Sequence, residues 1–149
     1  MQTTPGRDVT EGQLLDPAKL EALRQELGSN FGRVAGYFRE DGAKSIAAIE
    51  EAARHQSAVA LVRPAHTLKG DALQFGATGL AAIAERIEMA ARTAVEDHDY
   101  PVDILQDVLL LRPLFNDMVV ALARETSTAT TLRRAVGFGR KASAARPTI

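Results

Sequence analysis

Apolar residues in this chain return at intervals of three and four through four successive long segments. That spacing commits the segments to helices, because a helix brings its side chains back to one face about every 3.6 residues. In the first of them Phe31, Val34, Phe38, Ile46, Ile49 and Ala52 fall near one stripe, with Arg39, Glu40, Lys44, Glu50 and Glu51 outside it, while Gly42 and Ser45 thin its middle. The second carries Leu61, Ala65, Leu68, Ala72 and Phe75, and the third Leu80, Ile83, Ile87, Ala90 and Ala94. The fourth runs from about Val102 to Arg124 with Ile104, Val108, Leu111, Phe115, Met118 and Leu122. Ser29 or Asn30, Ser57 and Thr78 stand where the first three of these would start, and Gly76 where the second would stop. No alternating apolar segment bounded by turn residues makes a convincing strand. The expected fold is all-α: an up-and-down antiparallel four-helix bundle. A short additional N-terminal helix, capped by Asp16, opened by Pro17 and ended by Gly28, would lay Leu20, Leu23 and Leu27 over one end of it.

Two prolines strain that pattern. Pro64 and Pro113 fall inside expected helices, where each removes a backbone donor and crowds the preceding turn, so kinks are expected there. A second reading starts the helix at Pro64 instead, which would move His66 into a first turn.

With 149 residues, 46% of them hydrophobic, the chain suffices for one domain with a sizeable core. The expected division is a flexible N-terminus over 1–13, the bundle over 14–125, and a flexible basic tail over 126–149. The tail holds Arg133, Arg134, Arg140, Lys141 and Arg146 with no acid, leaving 13 bases against 19 acids before it. There is no cysteine, which excludes disulfides, thiolate metal sites and cysteine nucleophiles. Residues 1–10 are polar and unlike a signal peptide, and no stretch approaches the roughly 20 apolar residues of a membrane span. A cytoplasmic protein without a membrane partner is expected.

The most informative stretch is Ala65-His66-Thr67-Leu68-Lys69-Gly70, continuing to Gly76. On a helix Lys69 and Gly70 stand one turn beyond His66 on the same face, while Ala65, Leu68 and Ala72 turn to the core. An ammonium in that position supplies positive charge where a phosphoryl group would sit. A glycine there removes the side chain that would obstruct a partner, at a helix cost of roughly 1 kcal/mol that structure alone leaves unexplained. Neutral imidazole is also a competent nucleophile.

These residues resemble the signature of the histidine phosphotransfer (HPt) family, His-x-Leu-Lys-Gly followed by a glycine that closes the helix: His66, Leu68, Lys69, Gly70 and Gly76 fit it. The likeness covers residues 14 to 124 in helix order and 61 to 92 in residue detail. It implies that His66 is the phosphoacceptor, serving as an intermediate between a histidine kinase or phospho-aspartate receiver domain and the aspartate of a response regulator receiver. It also implies no enzyme activity of the chain's own, no bound cofactor, and Mg on the partner receiver. Family members often present a polar residue to the histidine from the next helix, and Glu88 occupies the corresponding place. Accepting a hydrogen bond from Nδ1-H, Glu88 would leave Nε2 free to attack phosphorus. Its competing reading is a surface i, i+4 ion pair with Arg92. Asp71 departs from the family, which commonly has Ser or Ala there, and its charge would oppose a phosphoryl group or restrain Lys69.

Other functions are disfavoured. Gly137-x-Gly139 is the only Gly-x-Gly and lies near the end of the chain, so a self-sufficient histidine kinase is not expected. Three scattered histidines lack the paired Glu-x-x-His ligands of a di-iron bundle. The remaining alternatives are a non-catalytic helical adaptor, which the intact His66 and Lys69 argue against, and the phosphoacceptor module of a chemotaxis-type kinase. His55 and His98 read as ordinary surface residues. The basic tail lacks an aromatic ladder and follows an acidic body, so nucleic acid is a disfavoured partner. Val136 to Gly139 offer a short docking motif as a further reading of the tail.

Overall fold

The computed structural model describes residues 14–145, with side chains described through Glu125. The expected N-terminal segment 1–13 lies outside the described residues, as do the side chains of the basic tail. The helices are α1 (Pro17–Leu27), α2 (Phe31–Arg54), α3 (Ala58–Gln74), α4 (Thr78–Glu96) and α5 (Leu105–Ala145), with single 3-10 turns at Gly28–Asn30 and Val102–Ile104. Neighbours in the sequence pack against each other from α2 to α5, and α5 returns to α2. The result is the all-α up-and-down bundle that the periodicity predicts, with α3 diagonal to α5 and α1 laid over one end.

Each expected stripe points inward. Leu61, Ala65, Leu68 and Ala72 of α3 and Ile104, Val108, Leu111, Phe115, Met118 and Leu122 of the last segment are all buried. Phe75 stacks on Phe38 at 4.8 Å and tilts against Phe31 at 6.3 Å, while Phe38 meets Phe115 edge-on at 5.9 Å, joining α2, the end of α3 and α5 in one aromatic cluster. Gly42 is part of this packing, since the Phe115 ring lies where a Cβ would be.

Helix ends follow local chemistry. Asp16 Oδ1 accepts from the amides of Ala18 and Lys19, and Ser57 Oγ from Ala60, as their capping positions predict. At α2 neither expected cap acts: Ser29 and Asn30 sit in the 3-10 turn, and the Asn30 side chain accepts from Arg33 instead. α3, with Pro64 inside it, is continuous from Ala58, so the reading that starts it at Pro64 is overturned. Its first turn is stabilised by the Ser57 cap and by the burial of Ala58 and Leu61, which outweigh one missing donor. Gly76, at φ +72°, stops α3, and its carbonyl accepts from Asp16 N-H at 2.6 Å, seating α1 on the bundle.

Two expectations need correction. The last helix does not end near Arg124 but continues through Ala145, because residues 126–145 contain neither proline nor an early glycine stop. Glu88, which its position next to Ile87 puts at the edge of the α4 stripe, lies inside it instead, 3% exposed.

Candidate functional site

His66 and Glu88 face each other across the α3–α4 hairpin, whose two helices make the closest pairing in the bundle. Ala65, Leu68 and Ala72 fix the rotation of α3, and with the core face so set, His66 points outward and is 62% exposed. Ile83, Ala84, Ile87 and Ala91 fix the rotation of α4 and draw Glu88 under the histidine. Glu88 Oε2 lies 2.9 Å from His66 Nδ1. The same oxygen accepts from Arg92 Nε at 3.0 Å and Nη2 at 2.8 Å. Lys69 Nζ stands 3.0 Å from Oε1 as an ion pair, out of line for a directed hydrogen bond, so Oε1 has no aligned donor among the described residues.

Burial by itself pushes the Glu88 carboxyl up, but Lys69, Arg92 and His66 outweigh it and hold the group down at about 2. Glu88 is therefore a carboxylate at neutral pH and can only accept. The ring nitrogen it meets must be the donor, so Nδ1 carries the proton and the lone pair of neutral imidazole is on Nε2. The surface ion pair with Arg92 and the contact with His66 exist together, on one oxygen.

The remaining residues sort themselves by direction. Gly70 is exposed, and a Cβ there would meet nothing within 4 Å, so no packing inside the chain demands glycine. Asp71 does not restrain Lys69. It is half-buried toward α2, where burial first and the charge of Asp41 second push its carboxyl up. His55 Nε2 pairs with Glu51 at 2.6 Å on the surface of α2, and His98 occupies the turn after α4, so neither joins the site. Val62 and Leu73 lie on the His66 face of α3, half-buried and exposed respectively. An open groove of about 470 Å3 is lined by Val59, Val62, Arg63, Arg92, Val95 and Glu96. Among the described residues no group of three or more His, Asp or Glu is placed to hold a metal ion, and no helix is long and apolar enough to cross a membrane.

What sequence reasoning left out of the site is Arg92 as a direct neighbour of the same carboxylate oxygen as His66. Its i, i+4 spacing from Glu88 was the available signal.

The helical bundle thus presents the exposed His66 over a buried carboxylate, with Lys69 and Gly70 one turn further along the same helix. The Hpt domain family model matches residues 33–126, and the chain belongs to that family. Its members are phosphotransfer intermediates in two-component signalling, not kinases, and work with kinases and response regulators. The fold is similar to the crystal structure of histidine-containing phosphotransfer protein B (HptB) from Pseudomonas aeruginosa PAO1, at a TM-score of 0.70 and 20% identity, covering 78% of this chain and 97% of that one. No curated protein sequence matches this chain.

Proposed function

We propose that His66 is the phosphoacceptor of this chain, taking a phosphoryl group from the phospho-aspartate of a receiver domain or from a kinase, and passing it to the aspartate of a response regulator receiver. The observation that carries this reading is an exposed imidazole whose Nδ1 is held 2.9 Å from a buried carboxylate. Nε2 donates its lone pair to phosphorus, and the bond from phosphorus to the aspartyl oxygen breaks with its pair returning to that oxygen. The imidazole becomes cationic while its Nδ1-H stays on Glu88. In the onward step a receiver carboxylate oxygen attacks phosphorus, the P–Nε2 bond breaks, and the pair returns to Nε2. The receiver's own acids would hold Mg, which would supply neutralising charge to the transferring group.

In this reading Lys69 supplies local positive charge, and Gly70 leaves room for the receiver to bring its aspartate in line with Nε2. Val59, Val62 and Leu73, one and two turns from His66, furnish the apolar rim on which a receiver docks. The chain supplies a transfer station and no turnover of its own, and kinase and receiver partners of this kind place it in the cytoplasm.

The test is direct. His66→Gln should abolish acid-labile, base-stable phosphorylation by a phosphorylated receiver or kinase, with helical content unchanged because the side chain is exposed. Label retained on His55 or His98 would overturn the assignment.

A further inference from the structure

Two cations beside the acceptor ring, Lys69 and Arg92, are already committed to an anion. Lys69 lies 3.0 Å from Glu88 Oε1, and Arg92 makes two contacts, 2.8 and 3.0 Å, with Oε2. A phosphoryl group on Nε2 would bring about two negative charges to the exposed side of the same ring. It can draw on these same two side chains, the cations that meet Glu88 around His66, as well as on Arg63 one turn before the ring. Lys69 meets Oε1 as an ion pair without an aligned hydrogen bond, and Arg92 is half exposed, so both can turn to a phosphoryl group. Releasing either cation leaves a 3% exposed carboxylate less compensated, a cost that a neutral amide at the same place would not impose.

We infer that Glu88, besides orienting the ring, competes with the phosphoryl group for Lys69 and Arg92 and so keeps the phosphohistidine poised for donation rather than storage. This rests on the reading that His66 is the acceptor. Glu88 acts as a positioning residue here: the phosphoryl group never touches it, and its influence passes through the two cations. An amide at position 88 could still accept from Nδ1-H, so the tautomer would survive while both cations became free to bind phosphate. Through the two cations the carboxylate thus raises the free energy of the phosphorylated state, opposing the stabilisation that its charge gives the cationic ring.

The experiment charges the purified full chain with phosphoramidate, which needs no partner protein, and follows loss of phosphohistidine to water by 31P NMR. Water attacks phosphorus, the P–Nε2 bond breaks with its pair returning to nitrogen, and inorganic phosphate leaves. Glu88→Gln should lengthen the lifetime on the order of tenfold, the equivalent of one charged hydrogen bond regained. In a Lys69→Ala, Arg92→Ala background the same change should lengthen it little or not at all. An unchanged or shortened lifetime in Glu88→Gln, or a gain that persists without both cations, would overturn the inference while leaving His66 as the acceptor. Failure of the wild-type chain to take label on His66 would instead remove the reading beneath it. If the amide does not fold, Glu88→Met serves as the second variant; because it also removes the acceptor for Nδ1-H, its lifetime is compared with and without Lys69 and Arg92, and a gain that does not depend on both cations overturns the inference.

Discussion

A Cβ on Gly70 would meet no atom within 4 Å, whereas one on Gly42 would fall 2.5 Å from Cε1 of Phe115, whose ring is held by Phe38 and the surrounding core. Both glycines are helical, and alanine is the better helix former by roughly 1 kcal/mol. Gly70→Ala should therefore stabilise the protein by about 0.5–1 kcal/mol in urea unfolding while slowing transfer to a receiver, because the methyl stands beside the reacting nitrogen. Gly42→Ala should destabilise by about 1–3 kcal/mol through overpacking. Equal effects of the two substitutions would show that crowding at Phe115 is relieved by rearrangement. The role proposed for Gly70 is suggested by the sequence because it follows His66 and Lys69 on the same helix face. That of Gly42 is not, since its neighbour Phe115 arrives from a distant helix. Glu88 was legible as a partner of His66 but misplaced at the edge of its stripe. A carboxylate is ordinarily solvated, and its burial is tolerated only because His66, Lys69 and Arg92 converge on it from two helices.

Helix terminations are the part of the fold least visible in the residue pattern. α2, α3 and α4 all close with the same pair of backbone bonds: Ser57 to Ala52 with Gln56 to Ala53, Ala77 to Ala72 with Gly76 to Leu73, and Asp99 to Ala94 with His98 to Val95. The motif needs a left-handed residue, and Gly76 fills that need in α3 at φ +72°. Gln56 and His98 adopt it at φ 52° and 56° despite their side chains. Gly76 could be read from the sequence as a stop, but nothing marks Gln56 or His98, because the preference is violated there and packing of the flanking helices overrides it. Substituting glycine at either should relieve about 1 kcal/mol of backbone strain, partly offset by the greater freedom of glycine in the unfolded chain. His98→Gly should thus raise the urea midpoint slightly and leave phosphotransfer untouched. A clear loss of stability would mean that the His98 ring contributes contacts that outweigh its strained backbone.

Across the whole molecule, the last core residue among those whose burial is described is Leu122. α5 contributes Val108, Leu111, Phe115, Met118 and Leu122 to the core, and Glu125 closes a 2.7 Å ion pair with Arg24 of α1, whose guanidinium lies 5.4 Å from the centre of the Phe31 ring. The helix nonetheless continues to Ala145, carrying Arg133, Arg134, Arg140 and Lys141 on a segment with no acid. The sequence division at residue 126 therefore follows composition and the end of the apolar stripe, but not an end of the helix. Removing 126–149 should leave the cooperative unfolding midpoint unchanged within about 0.5 kcal/mol, since no described core residue is lost and the Arg24–Glu125 pair remains. Far-UV circular dichroism should fall by the helical signal of 126–145, and His66 should still accept phosphate. A lowered midpoint would show that the extension packs against the bundle; full stability with slower transfer to one receiver would instead make it an arm that engages the partner.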